Sequence, residues 1–201
     1  MQVRLLVVAL VLAAAAVAHG RDDKIKHVVV LMQENRSFDH LLGYLKRLNP
    51  EINGLTGNET NPLDPNDPDS PIFYVSDDSG YVTDPDPGHG VYDVTEQAYG
   101  VREHARDYYP PPMDGFVQNY EQRIPGGGHE VMRCFSPEAL PVSTELVTEF
   151  GVIDEWFCSV PGPTMPNRYY LLSATSNGEA ENNVLPIVVG AQIFAYLLNF
   201  D

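Results

Sequence analysis

The chain has 201 residues, and its 28 Asp and Glu outnumber its 12 Lys and Arg, which gives a formal net charge of −16. So acidic a surface repels nucleic acid and anionic lipid headgroups, and no basic stripe interrupts it, so we expect no nucleic-acid partner. An anionic substrate would need a local positive centre, most simply a metal ion.

Residues 1–20 begin with a single basic residue, continue as an apolar run and end in small residues. This pattern predicts a signal peptide with a cleavage motif at Ala16-Val17-Ala18, and hence a secreted or secretory-pathway protein. The alternatives are a membrane anchor or a buried helix, but the Leu5–Ala18 run is short for a span of about 20 residues. In an oxidising compartment Cys134 and Cys158 could form a disulfide.

The first predicted elements after this segment are a strand and a helix. His27–Met32 is an uninterrupted aliphatic run, typical of a central strand covered on both faces. Apolar residues at helical spacing predict an amphipathic helix over Ser37–Leu48, ended by Asn49-Pro50. Glu34 and Asn35 then lie at the carboxyl end of the strand, where open α/β sheets bind ligands.

Residues 50–90 are rich in Pro, Asp, Asn and Gly, which predicts a loop with one short strand at Ile72–Val75. Val91–Gly100 fits either a short helix or a strand. Tyr108 and Pro125 begin two further loop segments.

The last predicted elements form a second strand–loop–helix unit. A helix presents Val142, Leu146, Val147 and Phe150 on one face and ends at Gly151 as C-cap. The sequence then predicts a strand over Val152–Val160 and, after a Pro-rich loop, a helix over Tyr169–Thr175. No internal repeat is present, and the sequence gives no indication of the oligomeric state.

Three polar clusters are candidates for chemistry. Glu34 and Asn35 offer hard oxygen donors for a divalent cation such as Mg²⁺, Ca²⁺ or Mn²⁺, although Asn35 or Ser37 could instead cap the following helix. His89 follows a tight Asp-Pro-Asp-Pro-Gly turn and could contact a phosphate or protonate a leaving group, or be an ordinary surface histidine.

The third cluster surrounds Thr164. Pro166 suits the first turn of a helix, which puts Thr164 at or near the N-cap, beside backbone N–H groups that favour negative charge. Its hydroxyl could therefore act as a nucleophile on phosphorus, with the phosphate held by the same N–H groups. The alternative is that Thr164 only caps the helix.

Five segments occur in one order: ENRSFDH, TDPDPGH, MDGFVQNYE, LPVSTELVTEFGVIDEWF and SVPGPTMPNR. Together they resemble the phosphoesterase family of plant non-specific phospholipases C, bacterial phospholipases C and a class of acid phosphatases, with the plant branch the most similar. The resemblance runs from about Lys24 to Gly178. It implies an alkaline-phosphatase-like α/β fold, a mostly parallel sheet flanked by helices, and metal-assisted hydrolysis of phosphate esters.

The resemblance also implies roles for individual residues. Glu34 would be a metal ligand, Asn35 would contact the metal or the substrate phosphate, and His89 would bind phosphate. Thr164 would be the nucleophile. Asn167 and Arg168 would lie at the substrate, although Arg168 could instead only support the loop.

The chain departs from this family in length, because family members are more than twice as long. Residues 21–178 would be the N-terminal part of the domain, and residues 179–201 an apolar tail without a place in the family pattern. The second half would supply further metal ligands and histidines. We therefore expect a truncated phosphoesterase with a phospholipid or phosphate-ester substrate and no stable membrane span at Val184–Phe200.

Three functions remain open. The first is phospholipase C-type cleavage of phospholipids to diacylglycerol and a phosphorylated headgroup. The second is an acid phosphatase-type phosphomonoesterase that uses the same site. The third is a catalytically inactive truncated product.

Overall fold

The computed structural model describes residues 26–82, 84–102 and 109–183. The chain divides into two compact units, Met1–Asn35 and Arg36–Asp201. The predicted signal peptide and the Val184–Phe200 segment lie outside the described residues. No helix in the described ranges is both long and apolar enough to cross a bilayer.

The predicted central strand at His27–Met32 is wrong. Residues 26–34 have no regular secondary structure, and Val28 to Leu31 are between 71% and 89% exposed. A central strand needs neighbours on both sides for its backbone hydrogen bonds, and no strand in the described ranges pairs with this segment. Aliphatic side chains favour burial, but those of this segment are exposed to solvent.

The predicted helix at Ser37–Leu48 is confirmed as two shorter helical segments. Helix α1 covers Phe38–Leu42, and its N-cap is Ser37, whose hydroxyl accepts a hydrogen bond from His40 N at 3.4 Å. The chain then tightens into a 3₁₀ helix over Gly43–Arg47. The tightening occurs where Gly43 O accepts a hydrogen bond from Leu55 N at 2.9 Å, which ties this turn to the next loop.

The described sheet has two strands, β1 (Thr60–Pro62) and β2 (Ile72–Tyr74), which pair antiparallel with Asn61 opposite Phe73. The short strand predicted at Ile72–Val75 is confirmed, and so is the class of mixed helices and strands. The mostly parallel sheet is not formed by the described residues, because neither of the long strands that would build it is present.

Two helices form the packed centre of the second unit. Helix α2 covers Val91–Tyr99, which resolves the helix-or-strand alternative, and ends at Gly100 with a φ of 67°. Helix α3 covers Phe116–Arg123 and buries Val117 and Tyr120 completely or nearly so. Two 3₁₀ helices, Gly128–Met132 and Pro137–Ala139, follow.

The remaining helices are α4, Pro141–Glu149, and α5, Thr164–Ser173. The predicted C-cap of α4 is one residue late, because Phe150 is the C-cap and Gly151 follows it with a φ of 147°. The helix predicted at Tyr169–Thr175 begins five residues earlier and ends at Ser173.

The second long strand, predicted at Val152–Val160, is also wrong. This segment contains a turn at 154–155, and Ile153, Trp156 and Phe157 are between 64% and 80% exposed. Its last backbone N–H groups, at Ser159 and Val160, donate to the Asn167 side chain. A side chain from α5 thus takes the hydrogen bonds that a neighbouring strand would have made.

The two cysteines do not pair. Cys134 is a buried free thiol and Cys158 an exposed one, so the possible disulfide is not formed. Burial, with Asp39 and Glu59 nearby, raises the pKa of Cys134 to about 12, so this thiol stays protonated and behaves as a small apolar core residue beside Tyr44 and Leu55.

His40 connects α1 to the rest of the second unit. Its Nε2 lies 3.2 Å from an Arg36 guanidinium nitrogen and 3.1 Å from Ser79 Oγ, and its ring centroid is 5.4 Å from that of Phe135. Burial, together with the Arg36 charge, lowers the pKa of His40 from 6.5 to about 4. The imidazole is therefore neutral at pH 7, and its Nε2 accepts from Arg36.

We predict a loss of stability at mildly acidic pH that depends on His40. Because the folded-state pKa is depressed, the unfolded chain binds the proton first, so the stabilisation is complete above pH 6.5 and is lost as the pH falls towards about 4. The replacement His40→Asn should flatten the dependence of the urea midpoint on pH in this window. A pH dependence that stays as steep in His40→Asn as in the wild-type chain would contradict the assignment.

Candidate active site

The first predicted cluster, Glu34 and Asn35, closes the unit that ends at Asn35, and both residues are exposed. Because Ser37 is the N-cap of α1, Asn35 is not needed for that role. His89 and Thr164 belong to the unit that starts at Arg36, so the predicted site residues are described as two separate groups.

The donor atoms of Glu34 and Asn35 are of the kind that binds a divalent metal ion, but there are too few of them to complete a site. A carboxylate and an amide oxygen suit a hard divalent cation, but such cations take about six to eight oxygen ligands. Within the described residues, no group of three or more His, Cys, Asp or Glu side chains is placed to share a metal ion. The described donors alone therefore do not complete a metal site, and we derive no reaction step through a metal.

The second cluster is the turn that carries His89. The imidazole Nδ1 lies 3.2 Å from Pro87 O and 3.3 Å from Asp86 Oδ2, and both of these atoms are acceptors. Nδ1 must therefore carry the proton, and Nε2 is the nitrogen left for chemistry in the neutral ring. The ring is half-buried at the start of α2.

Gly88 allows this turn to approach α2 closely. A Cβ at position 88 would lie 2.4 Å from Asp93 Cγ, a distance that no side chain tolerates. Gly90 follows as the N-cap of α2. Gly88 therefore permits the close approach to the helix, whereas Gly90, with a φ of −68°, has an ordinary extended backbone that other residues also adopt.

The third cluster is organised by Asn167. Its Oδ1 accepts hydrogen bonds from Ser159 N and Val160 N, both at 3.0 Å. Its Nδ2 donates to the carbonyls of Val160, Gly162 and Pro163 at 3.0 to 3.3 Å. One amide thus shapes the whole loop before α5 and uses its full hydrogen-bonding capacity there. The predicted contact of Asn167 with substrate stays a prediction.

Thr164 is the first residue of α5, with Pro163 as the N-cap, and it is half-buried. The prediction that it lies at or near the N-cap, with Pro166 in the first turn, is confirmed. The next backbone N–H, that of Met165, donates to Asn182 Oδ1 at 2.9 Å. Arg168 lies half-buried on the same helix.

Asn182 was not among the predicted site residues. It falls in the segment assigned to the apolar tail, yet residues 179–183 contact α5, where Tyr169 Oη donates to Asn183 O at 3.0 Å. No local pattern in the sequence indicates this role, because Asn182 follows Met165 by 17 residues and is not the N-cap of α5.

The structure brings the second and third clusters together. A Cβ at Gly162, in the loop before Thr164, would lie 3.0 Å from Cγ2 of Val91, two residues after His89. The turn that presents His89 and the loop that presents Thr164 therefore lie side by side. An imidazole and a hydroxyl at a helix N-terminus, carried on segments that contact each other, are groups of the kind used in transfer of a phosphoryl group.

The chain belongs to the Phosphoesterase family, whose model matches residues 25–196. This confirms the resemblance inferred from the sequence motifs.

Among its relatives, the chain is 50% identical to non-specific phospholipase C1 of Arabidopsis thaliana over 172 residues, which cover 86% of this chain and 32% of that protein. It is 48% identical to non-specific phospholipase C3 of the same plant, over 83% of this chain and 32% of that protein. Phospholipase C B of Mycobacterium tuberculosis is 30% identical over 77% of this chain and 30% of that protein. The chain thus spans about a third of the length of the plant relatives it matches.

We predict that Asn167→Ala loosens the loop before α5. The variant loses the five side-chain hydrogen bonds to residues 159–163, so amide exchange at Ser159 and Val160 should rise, and stability should fall by about 2 kcal/mol. Hydrogen exchange followed by mass spectrometry and urea unfolding would measure both. Asn53→Ala, at an exposed asparagine, is the matched control, and unchanged exchange in the Asn167 variant would contradict this role.

Proposed function

We propose that this chain carries part of a phosphoester hydrolase site of the phospholipase C type, in which Thr164 attacks phosphorus. The observation that carries the proposal is the contact between the His89 turn and the Thr164 loop through Val91 and Gly162. The names of the relatives, plant non-specific phospholipases C and a bacterial phospholipase C, support the choice of substrate class.

The chemistry follows from the positions of these groups. Thr164 Oγ1 would lose its proton and form a bond to phosphorus while the bond between phosphorus and the leaving oxygen breaks. The leaving oxygen takes up a proton and departs as an alcohol, which leaves a phosphorylated threonine. With a phospholipid substrate the leaving alcohol is diacylglycerol. Water would then attack phosphorus and release the phosphorylated headgroup, restoring Thr164.

His89 would act through Nε2, because Nδ1 is bonded to Pro87 O and faces Asp86. In its protonated form Nε2 donates to a phosphoryl oxygen or to the leaving oxygen. The N-terminal end of α5 would stabilise negative charge on the phosphoryl group. A phosphate bound there would compete with Asn182 for the Met165 N–H.

We further propose that Glu34 and Asn35 are donors to a divalent metal ion. Arg168, in the unit that starts at Arg36, is proposed separately as a contact of the substrate phosphate. An alkaline-phosphatase-like fold and a secretory signal over residues 1–20 belong to the same proposal, because they follow from the family resemblance and the N-terminal sequence pattern.

The test is hydrolysis of phosphatidylcholine and of p-nitrophenyl phosphate by the purified chain, with and without added divalent metal. We predict metal-dependent turnover that prefers phosphatidylcholine, and a loss of kcat of at least about 1000-fold in Thr164→Ala. Thr148→Ala is the matched control, since this exposed threonine lies on α4, where its hydroxyl donates to Thr144 O at 2.8 Å.

Each other outcome has a defined meaning. A preference for p-nitrophenyl phosphate would show that the activity is that of a phosphomonoesterase and not of a phospholipase C. Full activity in Thr164→Ala would overturn the assignment of the nucleophile. A folded wild-type chain with no turnover on either substrate would identify the inactive alternative.

A further inference from the structure

The backbone of the turn before His89 is held at three carbonyls by side chains from α2 and α3. Tyr120 Oη donates to Pro85 O at 2.7 Å, and Arg123 donates to Asp86 O at 3.0 Å. Gln97 Nε2 donates to Gly88 O at 2.6 Å. With Pro87 O bonded to the His89 ring itself, every carbonyl from residue 85 to residue 88 has a partner.

Gln97 connects this turn to a buried polar network. Besides Gly88 O, its Nε2 donates to Asn119 Oδ1 at 3.0 Å. Asn119 is 1% exposed, and its Nδ2 donates to Glu96 Oε2 at 2.7 Å and to Asp93 Oδ1 at 3.1 Å. The buried Asn119 side chain therefore fixes the orientation of the Gln97 amide. Asn119 Oδ1 accepts a hydrogen bond from Gln97, while Asn119 Nδ2 donates to the carboxylates of Glu96 and Asp93.

The centre of the network is Glu96, which is 3% exposed. Burial acts to raise its pKa, but hydrogen bonds from Asn119, Gln118, Gln122 and Arg102 outweigh that effect and lower it. Glu96 is therefore an anion at neutral pH that orders the donors around it. Its backbone is equally constrained, since a Cβ at Gly115 would lie 1.9 Å from Glu96 O.

We propose that Gln97 and Asn119 are positioning residues for His89, with buried Glu96 as their anchor. The expected effect on kcat rests on the proposed function of His89. The effect of Gln97 on the conformation of the turn does not depend on that function. In this arrangement the MDGFVQNYE segment supplies Asn119 and Tyr120, and its purpose is to hold the histidine turn in one conformation beside the Thr164 loop. Neither Gln97 nor Asn119 touches the reacting atoms.

The experiment compares Gln97→Met with Gln122→Met in the full chain. Both replacements remove an amide of similar shape from the same network, but Gln122 donates to Glu96 and to no carbonyl of the turn. Gln97→Glu is a second variant that keeps the size of the side chain but replaces the N–H donors by a carboxylate oxygen and adds a negative charge. The measurements are amide exchange over residues 84–90, the NMR signals of the His89 ring, the unfolding midpoint, and kcat and KM for p-nitrophenyl phosphate.

In both Gln97 variants we expect amide exchange in the turn to be about 10-fold faster and the His89 ring signals to shift. The value of kcat should fall about 10-fold with KM nearly unchanged, because misplacing His89 affects the reaction more than binding. Gln122→Met should lower the unfolding midpoint without these changes.

Equal changes in the turn for Gln97→Met and Gln122→Met, or unchanged exchange and ring signals in both Gln97 variants, would overturn the proposal. If the wild-type chain has no turnover, the proposed function fails, while exchange and the ring signals still decide whether Gln97 holds the turn.

Discussion

The second unit depends on one buried carboxylate. Glu96 accepts hydrogen bonds from four side chains of α3 and the segment after α2: Arg102, Gln118, Asn119 and Gln122. Removing one partner of a buried charged group costs about 3–5 kcal/mol, a large part of the 5–15 kcal/mol that stabilises a typical domain. Because Asn119 and Gln97 extend the same network to the turn before His89, stability and the geometry of the candidate site are linked.

What the sequence predicted correctly was local. The capping serine at position 37 and the proline in the first turn of α5 act through neighbouring residues, so their signals are readable in the chain. The two long strands were predicted wrongly because an aliphatic run indicates only that its side chains favour burial, and not that a partner strand is available. Whether His27–Met32 or Val152–Val160 becomes a strand depends on a partner strand, which the described residues do not provide.

In the candidate site, too, local features could be predicted from the sequence, whereas contacts between distant segments could not. The Asp-Pro-Asp-Pro-Gly turn and the start of α5 singled out His89 and Thr164, but only the structure brings their two loops into contact. Asn167 was predicted as a substrate contact and not as the residue that holds its loop, and Asn119 was not singled out, because an asparagine that bonds distant backbone or buried carboxylates looks like any other polar residue in sequence. Both lie within residues 25–196, the region matched to the Phosphoesterase family.

The central claim is that Thr164 is the nucleophile of a phosphoester hydrolase. The most direct measurement is rapid acid quenching of the chain during turnover of p-nitrophenyl phosphate with divalent metal, followed by peptide mass spectrometry. The account predicts one phosphoryl group, located on Thr164. This group should be absent from samples that are quenched after the substrate is exhausted. A phosphoryl group on another residue, or turnover with none trapped on Thr164 and full activity in Thr164→Ala, would contradict it.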